Sequence, residues 1–175
     1  IIFAKSYLPE ERENLLKFSL FYVLFLLVAT GIFGITLAGD IFTLYVFIEI
    51  ASIAAYGLLA MGGYKAAVSS FRYVLIGTVG ASFYLLAVAF IYANTGSLNM
   101  ADLSTLLPPL LTDRTMIFAV AILVAGLGIK SALWPMHTWM PDVYTYGPPP
   151  AVAFIAGTMT KVFSYVLFRF LYFIL

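Results

Sequence analysis

Polar residues fall into short clusters that separate long apolar runs. A membrane span takes about 20 mainly apolar residues, each rising about 1.5 Å. Five runs reach that length, at about 18–38, 41–61, 71–93, 115–146 and 150–175. Asp40 stands at the end of the first, and Gly62-Gly63 ends the second. The fourth is broken near 135 by Trp134-Pro135. The longest connection, Asn94 to Arg114, holds "SLNMADL" and Pro108-Pro109. It is too polar and interrupted to span, and a short interfacial helix is expected there. The pattern predicts an all-α integral membrane protein: a polar N-terminal segment, 1–17, then five transmembrane helices over 18–175, one of them discontinuous.

Composition agrees. The chain is 63% hydrophobic and 10% charged, with a mean hydropathy of +1.05. A soluble domain carries about 25% charged residues. The absence of Cys excludes disulfides, zinc–thiolate sites and cysteine-ligated iron–sulfur clusters held by this chain. Neither a cofactor site nor a metal site is expected. A net charge of +1 leaves no footprint for nucleic acid. The chain starts at Ile1 and stops at Leu175 inside a hydrophobic run, and a piece of a longer polypeptide is expected. "KSYLPEEREN" is polar and mixed in charge, unlike a signal peptide.

Orientation follows from Lys and Arg in short loops. Lys5, Arg12, Lys17, Lys65 and Arg72 fall on one side, against Arg114 and Arg169 on the other. The N-terminal side is therefore expected to be cytoplasmic. Helix seams are expected at Thr30, Gly34 and Ala38, and at Gly77 and Ala81, where small residues four apart let helices approach closely in lipid.

Three ionisable residues lie deep in the predicted spans. Glu49 is about 12 Å into the second, Lys130 about 22 Å into the fourth and Lys161 about 16 Å into the fifth. All fall in the middle of an apolar core about 30 Å thick, where each charge costs at least about 2.5–3.5 kcal/mol. Such residues face a polar interior and pair with one another or with water. Tyr45, Glu49, Ser52 and Tyr56 form one polar stripe at spacings of four, three and four. Thr158, Lys161, Ser164 and Tyr165 share a face of the fifth span, and the third offers Thr78 and Ser82. These groups could line a hydrated path. The hydroxyls alone are better read as glue between helices; the three charges are better read as functional.

The break beside Lys130 carries the same message. Pro135 lacks an N–H and clashes with the preceding turn, and Pro141 and "GPPP" at 147–150 oppose a simple resumption. Non-helical backbone at membrane depth is tolerated only inside protein or along a water-filled cavity. A break five residues past Lys130 frees carbonyls near the ammonium and lets its surroundings move. His137, the only histidine, reads equally as a proton relay or as an interfacial residue bonded to backbone. Trp134 and Trp139 read as packing or interfacial residues, and Asp142 as the anchor of the re-entrant loop.

"GIKSALWPMHTWMPDVYTYGPPPAVAFIAGTMTKVFSYVLFRF" resembles the signature of the antiporter-like membrane subunits of respiratory complex I, membrane-bound hydrogenases and multisubunit Na+/H+ antiporters. The matching features are a Lys-Ser step at Lys130-Ser131, a Pro-x-His-x-Trp-x-Pro-Asp run, a proline-containing re-entry, and a Gly-x-x-x-Lys step followed by an aromatic-x-x-x-Arg. "FTLYVFIEIASIAAYGLLA" is also similar, with Glu49 at the acidic position. The resemblance implies helices four to eight of about fourteen, one half of an inverted repeat. It implies that Glu49, Lys130 and Lys161 translocate protons or Na+ as the proton-handling carboxylate, the broken-helix lysine and the relay lysine; His137, Tyr45, Ser52, Tyr56, Ser131, Thr158, Ser164 and Tyr165, read from their positions beside these charges, are candidate relay or supporting groups. It implies other membrane subunits as partners, with any redox reaction in them. The triple proline departs from the family's pattern, and Lys161 stands where some relatives carry histidine. The competing readings are an assembly subunit, whose charges only lock helices together, and a transporter of a small organic solute.

Overall fold

The computed structural model describes residues 12–174. Most of the N-terminal segment, 1–11, lies outside the described residues. Seven α-helices follow in order: α1 Arg12–Leu37, α2 Ile41–Ala60, α3 Tyr64–Thr95, α4 Met100–Leu110, α5 Arg114–Lys130, α6 Met140–Tyr146 and α7 Pro149–Arg169. A π-helical turn, Phe170–Ile174, extends α7. Among the described residues, four helices are long and apolar enough to cross a membrane: Leu16–Leu37, Ile41–Ala60, Tyr64–Thr95 and Pro149–Ile174. The short helix expected in the longest connection is α4.

Local chemistry fixes the helix ends. Asp40 caps α2, its Oδ1 accepting from Phe42 N at 3.0 Å and Thr43 N at 2.7 Å. Asn99 caps α4 through Ala101 N at 2.8 Å. Gly63 enters α3 at φ +105°, a value L side chains rarely adopt. Helix α3 begins seven residues before the predicted apolar run: its first turns, "YKAAVSSFR", are mixed in polarity but contain no helix breaker.

Helix α1 packs on α2, α2 on α3, α3 on α5, α5 on α7 and α7 back on α1, closing a ring. Its interior is filled by Ile35, Ile48, Leu58, Ala87 and Phe163, each at most 1% exposed. Large apolar side chains such as Phe33, Phe71, Leu75 and Phe118 point outwards. Lipid is as apolar as these side chains, so close helix contact depends on small residues. Two of the expected seam positions are close approaches, since a Cβ on Gly34 would collide with the Phe47 ring and one on Gly77 with Tyr56, whereas Thr30 is exposed and donates to Leu26 O of its own helix at 2.8 Å. Gly31 against Ala51, and Gly80 against Gly126, are further close approaches that the sequence pattern did not single out.

One end of the ring is tied by backbone. Asp40 and Asn99 form a bridge, with Ile41 N donating to Leu98 O and Met100 N to Gly39 O, both at 3.0 Å. Arg169 Nη1 donates to Ala38 O at 2.7 Å, and Tyr84 Oη to Ile41 O at 3.0 Å.

Candidate functional site: a lysine at a helix break

Helix α5 stops at Lys130 because the backbone reverses there. Ser131 caps it, Ala132 takes φ +56°, Ala132 N donates to Ile129 O at 3.2 Å and Leu133 N to Gly128 O at 2.9 Å. This pairing is a Schellman motif with alanine in the left-handed position that glycine usually fills. Residues 131–139 form successive turns until α6 begins at Met140. The break expected from Pro135 is present, and it begins four residues earlier than that proline.

Lys130 is thus the last residue of its helix, at the negative end of the helix dipole, which favours a cation. It is 2% exposed, and its side chain reaches across the ring to α2. Nζ donates to Ser52 Oγ at 2.8 Å, to Glu49 Oε1 at 3.3 Å and to Tyr56 Oη at 3.3 Å. Three of the four residues in the predicted stripe therefore meet one ammonium, which has three donors. The expected ion pair is present: the Lys130 side chain is 2% exposed and that of Glu49 26%. Tyr45, the fourth, stacks on Tyr84 at 6.1 Å instead.

The broken segment is bolted to this site. Trp139, 3% exposed, stacks on Tyr73 at 3.9 Å, and its Nε1 donates to Ile129 O at 3.0 Å. Tyr73 meets the Tyr56 ring edge-on at 4.6 Å. Further out, Asp142 pairs with Arg72 at 3.1 Å, anchoring α6 to α3. Trp134 is 83% exposed. His137 Nδ1 is buried without a hydrogen-bond partner among the described residues.

Lys161 is placed apart from this cluster. It is exposed at the outer surface of α7, Nζ donating to Ala156 O at 2.6 Å and Thr160 Oγ1 at 3.4 Å. It lines a cavity of about 480 Å³ with Ser131, Tyr144, Thr160 and Ser164. Ser131, next to Lys130, is the link between the two regions; its hydroxyl donates to Leu127 O at 2.8 Å. Thr158 donates to Phe154 O at 2.7 Å, and Tyr165 is 44% exposed. Thr78 and Ser82 face outwards, away from Lys130. Thr160 and Tyr144 were not singled out from sequence. Tyr144 Oη lies buried towards Thr160 without a hydrogen bond of good geometry. Thr160 precedes Lys161 directly, and a hydroxyl beside a lysine is a weak signal on its own. Among the described residues there is no His, Asp or Glu cluster able to hold a metal.

A family model described as NADH:quinone oxidoreductase/Mrp antiporter, transmembrane, matches residues 38–175. Subunit N of the NADH-quinone oxidoreductase of Desulforudis audaxviator is 56% identical over 99% of this chain and 34% of its own length. A Na+/H+ antiporter subunit of Alkalihalophilus pseudofirmus is 34% identical over 97% of this chain and 34% of its own length. A chain of the archaeal membrane-bound sulfane sulfur reductase superposes with a TM-score of 0.81 at 38% identity, covering 86% of this chain and 31% of that one. A chain of Thermus thermophilus respiratory complex I gives 0.72 at 29% identity, covering 85% and 33%. The chain spans about a third of the length of the curated relatives it matches.

Proposed function

This chain belongs to the NADH:quinone oxidoreductase/Mrp antiporter transmembrane family, and we propose that it forms an ion-translocating half-channel, carrying protons or Na+, within a larger membrane complex. One observation carries the proposal: the Lys130 ammonium, buried at a helix break, meets Glu49, Ser52 and Tyr56 together. Burying ions for stability alone is a poor device, since apolar replacements are often as stable. A break beside a buried ion supports a moving part.

In this reading α5, the broken segment and α6 together make the fourth of five spans. The five form one half of an inverted repeat, with the N-terminal side cytoplasmic. Glu49 and Lys130 are a switchable pair. Beside the carboxylate the ammonium keeps its proton. With the pair open, an ammonium in apolar surroundings is costly to keep charged, and its proton passes on towards Lys161. The cavity joining Ser131 to Lys161 supports that direction. One charge crossing the membrane is worth about 2.3 kcal/mol per 100 mV, within the range a buried ion pair can supply. The driving reaction belongs to partner subunits.

The test is Lys130→Ala and Lys130→Arg in the full-length polypeptide, measured as ion uptake by membrane vesicles with subunit incorporation checked on the same preparation. Both variants incorporate and lose uptake, Arg because guanidinium stays protonated. Normal uptake by either defeats the proposal. The closed Glu49–Lys130 pair also fits a second reading, an assembly subunit, which Lys130→Ala would favour by failing to incorporate.

A further inference from the structure

Gly77 lies buried on α3, facing Tyr56 of α2. A Cβ built on Gly77 overlaps the Tyr56 hydroxyl and stands 3.0 Å from ring carbon Cζ. Tyr56 is 8% exposed, and Lys130 Nζ lies 5.7 Å from its ring centre as well as within hydrogen-bond reach of its hydroxyl. Four residues before Gly77 on the same helix, Tyr73 meets the Tyr56 ring edge-on. Helix α3 thus gives the phenol a wall for its ring and a notch for its hydroxyl.

We propose that Gly77 is a positioning residue for ion translocation: its missing side chain seats the Tyr56 hydroxyl as the third acceptor of the Lys130 ammonium. The inference rests on the reading of Lys130 given above. The ammonium has three donors and finds three acceptors. A methyl group at position 77 displaces one of them. The atom it strikes first is the tip of a side chain and not backbone, so the phenol shifts off Lys130 and the helices stay where they are.

Gly77→Ala, Tyr56→Phe and the double variant, each in the full-length polypeptide within its complex, test the proposal. The readouts are vesicle ion uptake across pH, incorporation, and a high-resolution structure of the Gly77→Ala complex. Gly77→Ala incorporates, its phenol leaves Lys130, and uptake falls about tenfold, as for loss of one hydrogen bond to a charge. Its pH profile changes as that of Tyr56→Phe does. The double variant lies closer to Tyr56→Phe alone than to the product of the two single losses, because the hydroxyl struck first by the methyl group is gone and only ring carbon Cζ, 3.0 Å away, still has to give by a few tenths of an ångström. If Gly77→Ala fails to incorporate, recovery in the double variant supports the proposal and failure there overturns it. Normal uptake by Gly77→Ala or Tyr56→Phe, an undisplaced phenol, or losses that multiply in the double variant overturn it. Each of those results leaves Lys130 in its role, whereas normal uptake by Lys130→Ala removes both readings.

Discussion

Ser52 Oγ accepts from Lys130 Nζ at 2.8 Å, a shorter bond than the 3.3 Å to the Glu49 carboxylate. Ser52 is fully buried, whereas the Glu49 side chain keeps 26% of its surface. The hydroxyl is the fixed member of the site and the carboxylate the one with room to move. Ser52→Ala removes a hydrogen bond to a charged group, worth about 1.5–3 kcal/mol. Vesicle uptake should fall about tenfold or more, with incorporation retained. Unchanged uptake would mean that the hydroxyl only fills space.

Trp139 acts through two separable contacts, its stack on Tyr73 and its bond to Ile129 O. Trp139→Phe keeps a ring against Tyr73 and loses only the bond, about 1 kcal/mol. Trp139→Ala empties a buried site and should cost about 3–5 kcal/mol. Thermal melting of the purified complex ranks the two. Equal losses would show that the stack contributes nothing.

The polar stripe was legible in sequence because Glu49, Ser52 and Tyr56 repeat at helical spacing, and the break because proline cannot sit silently inside a helix. The partner across the ring was an inference from cost: a charge at that depth needs one. What pattern could not supply was rotation between helices. Tyr45 sits on the same stripe yet turns to Tyr84, and Thr78 and Ser82 face outwards. Trp139 reads from sequence as a packing or interfacial residue, and its indole N–H also occupies a carbonyl at the end of the Lys130 helix. The early stop at Lys130 comes from Ala132 in a left-handed conformation, a residue with no preference for it.

Helices α3 and α5 meet at two glycines. A Cβ on Gly126 would stand 2.6 Å from Gly80 O and 3.0 Å from Tyr84 N, and backbone on an opposing helix cannot swing aside. Gly126→Val should therefore destabilise the bundle by at least the overpacking cost, about 1–3 kcal/mol. The yield of incorporated subunit measures it. A normal yield would show that α5 can shift on α3 without loss.

Asp40 gives the fold an acid-sensitive corner. Burial raises its carboxyl pKa, but hydrogen bonds from Thr43 and Phe42 more than offset this and hold it below the usual carboxylate range. A carboxyl depressed in the folded state contributes stability above its unfolded pKa and loses it as pH falls through the folded value. Asp40→Ala should cost about 0.5–2 kcal/mol at neutral pH. The difference from the unaltered protein should shrink as pH falls from neutral to below the ordinary aspartate pKa of about 3.9. Melting curves at both pH values check this, and a gap that stays constant would mean that the cap does not depend on charge.

Removing either partner of the buried pair should not be symmetric. Lys130 is 2% exposed, so Glu49→Ala leaves an ammonium sealed in the ring with two hydroxyls for company. Breaking a buried pair from one side costs about 3–5 kcal/mol. Lys130→Ala instead leaves a carboxylate that is 26% exposed and can take up a proton, which relieves most of the penalty. Glu49→Ala should therefore lower incorporation more than Lys130→Ala does, while both abolish uptake. Glu49→Gln, which keeps an acceptor for the ammonium, should recover incorporation without recovering uptake. Quantified subunit in washed membranes, set beside uptake on the same vesicles, separates the two effects. If Lys130→Ala proves the more damaging to incorporation, the charge that the fold depends on is the lysine, and the carboxylate is not its required partner.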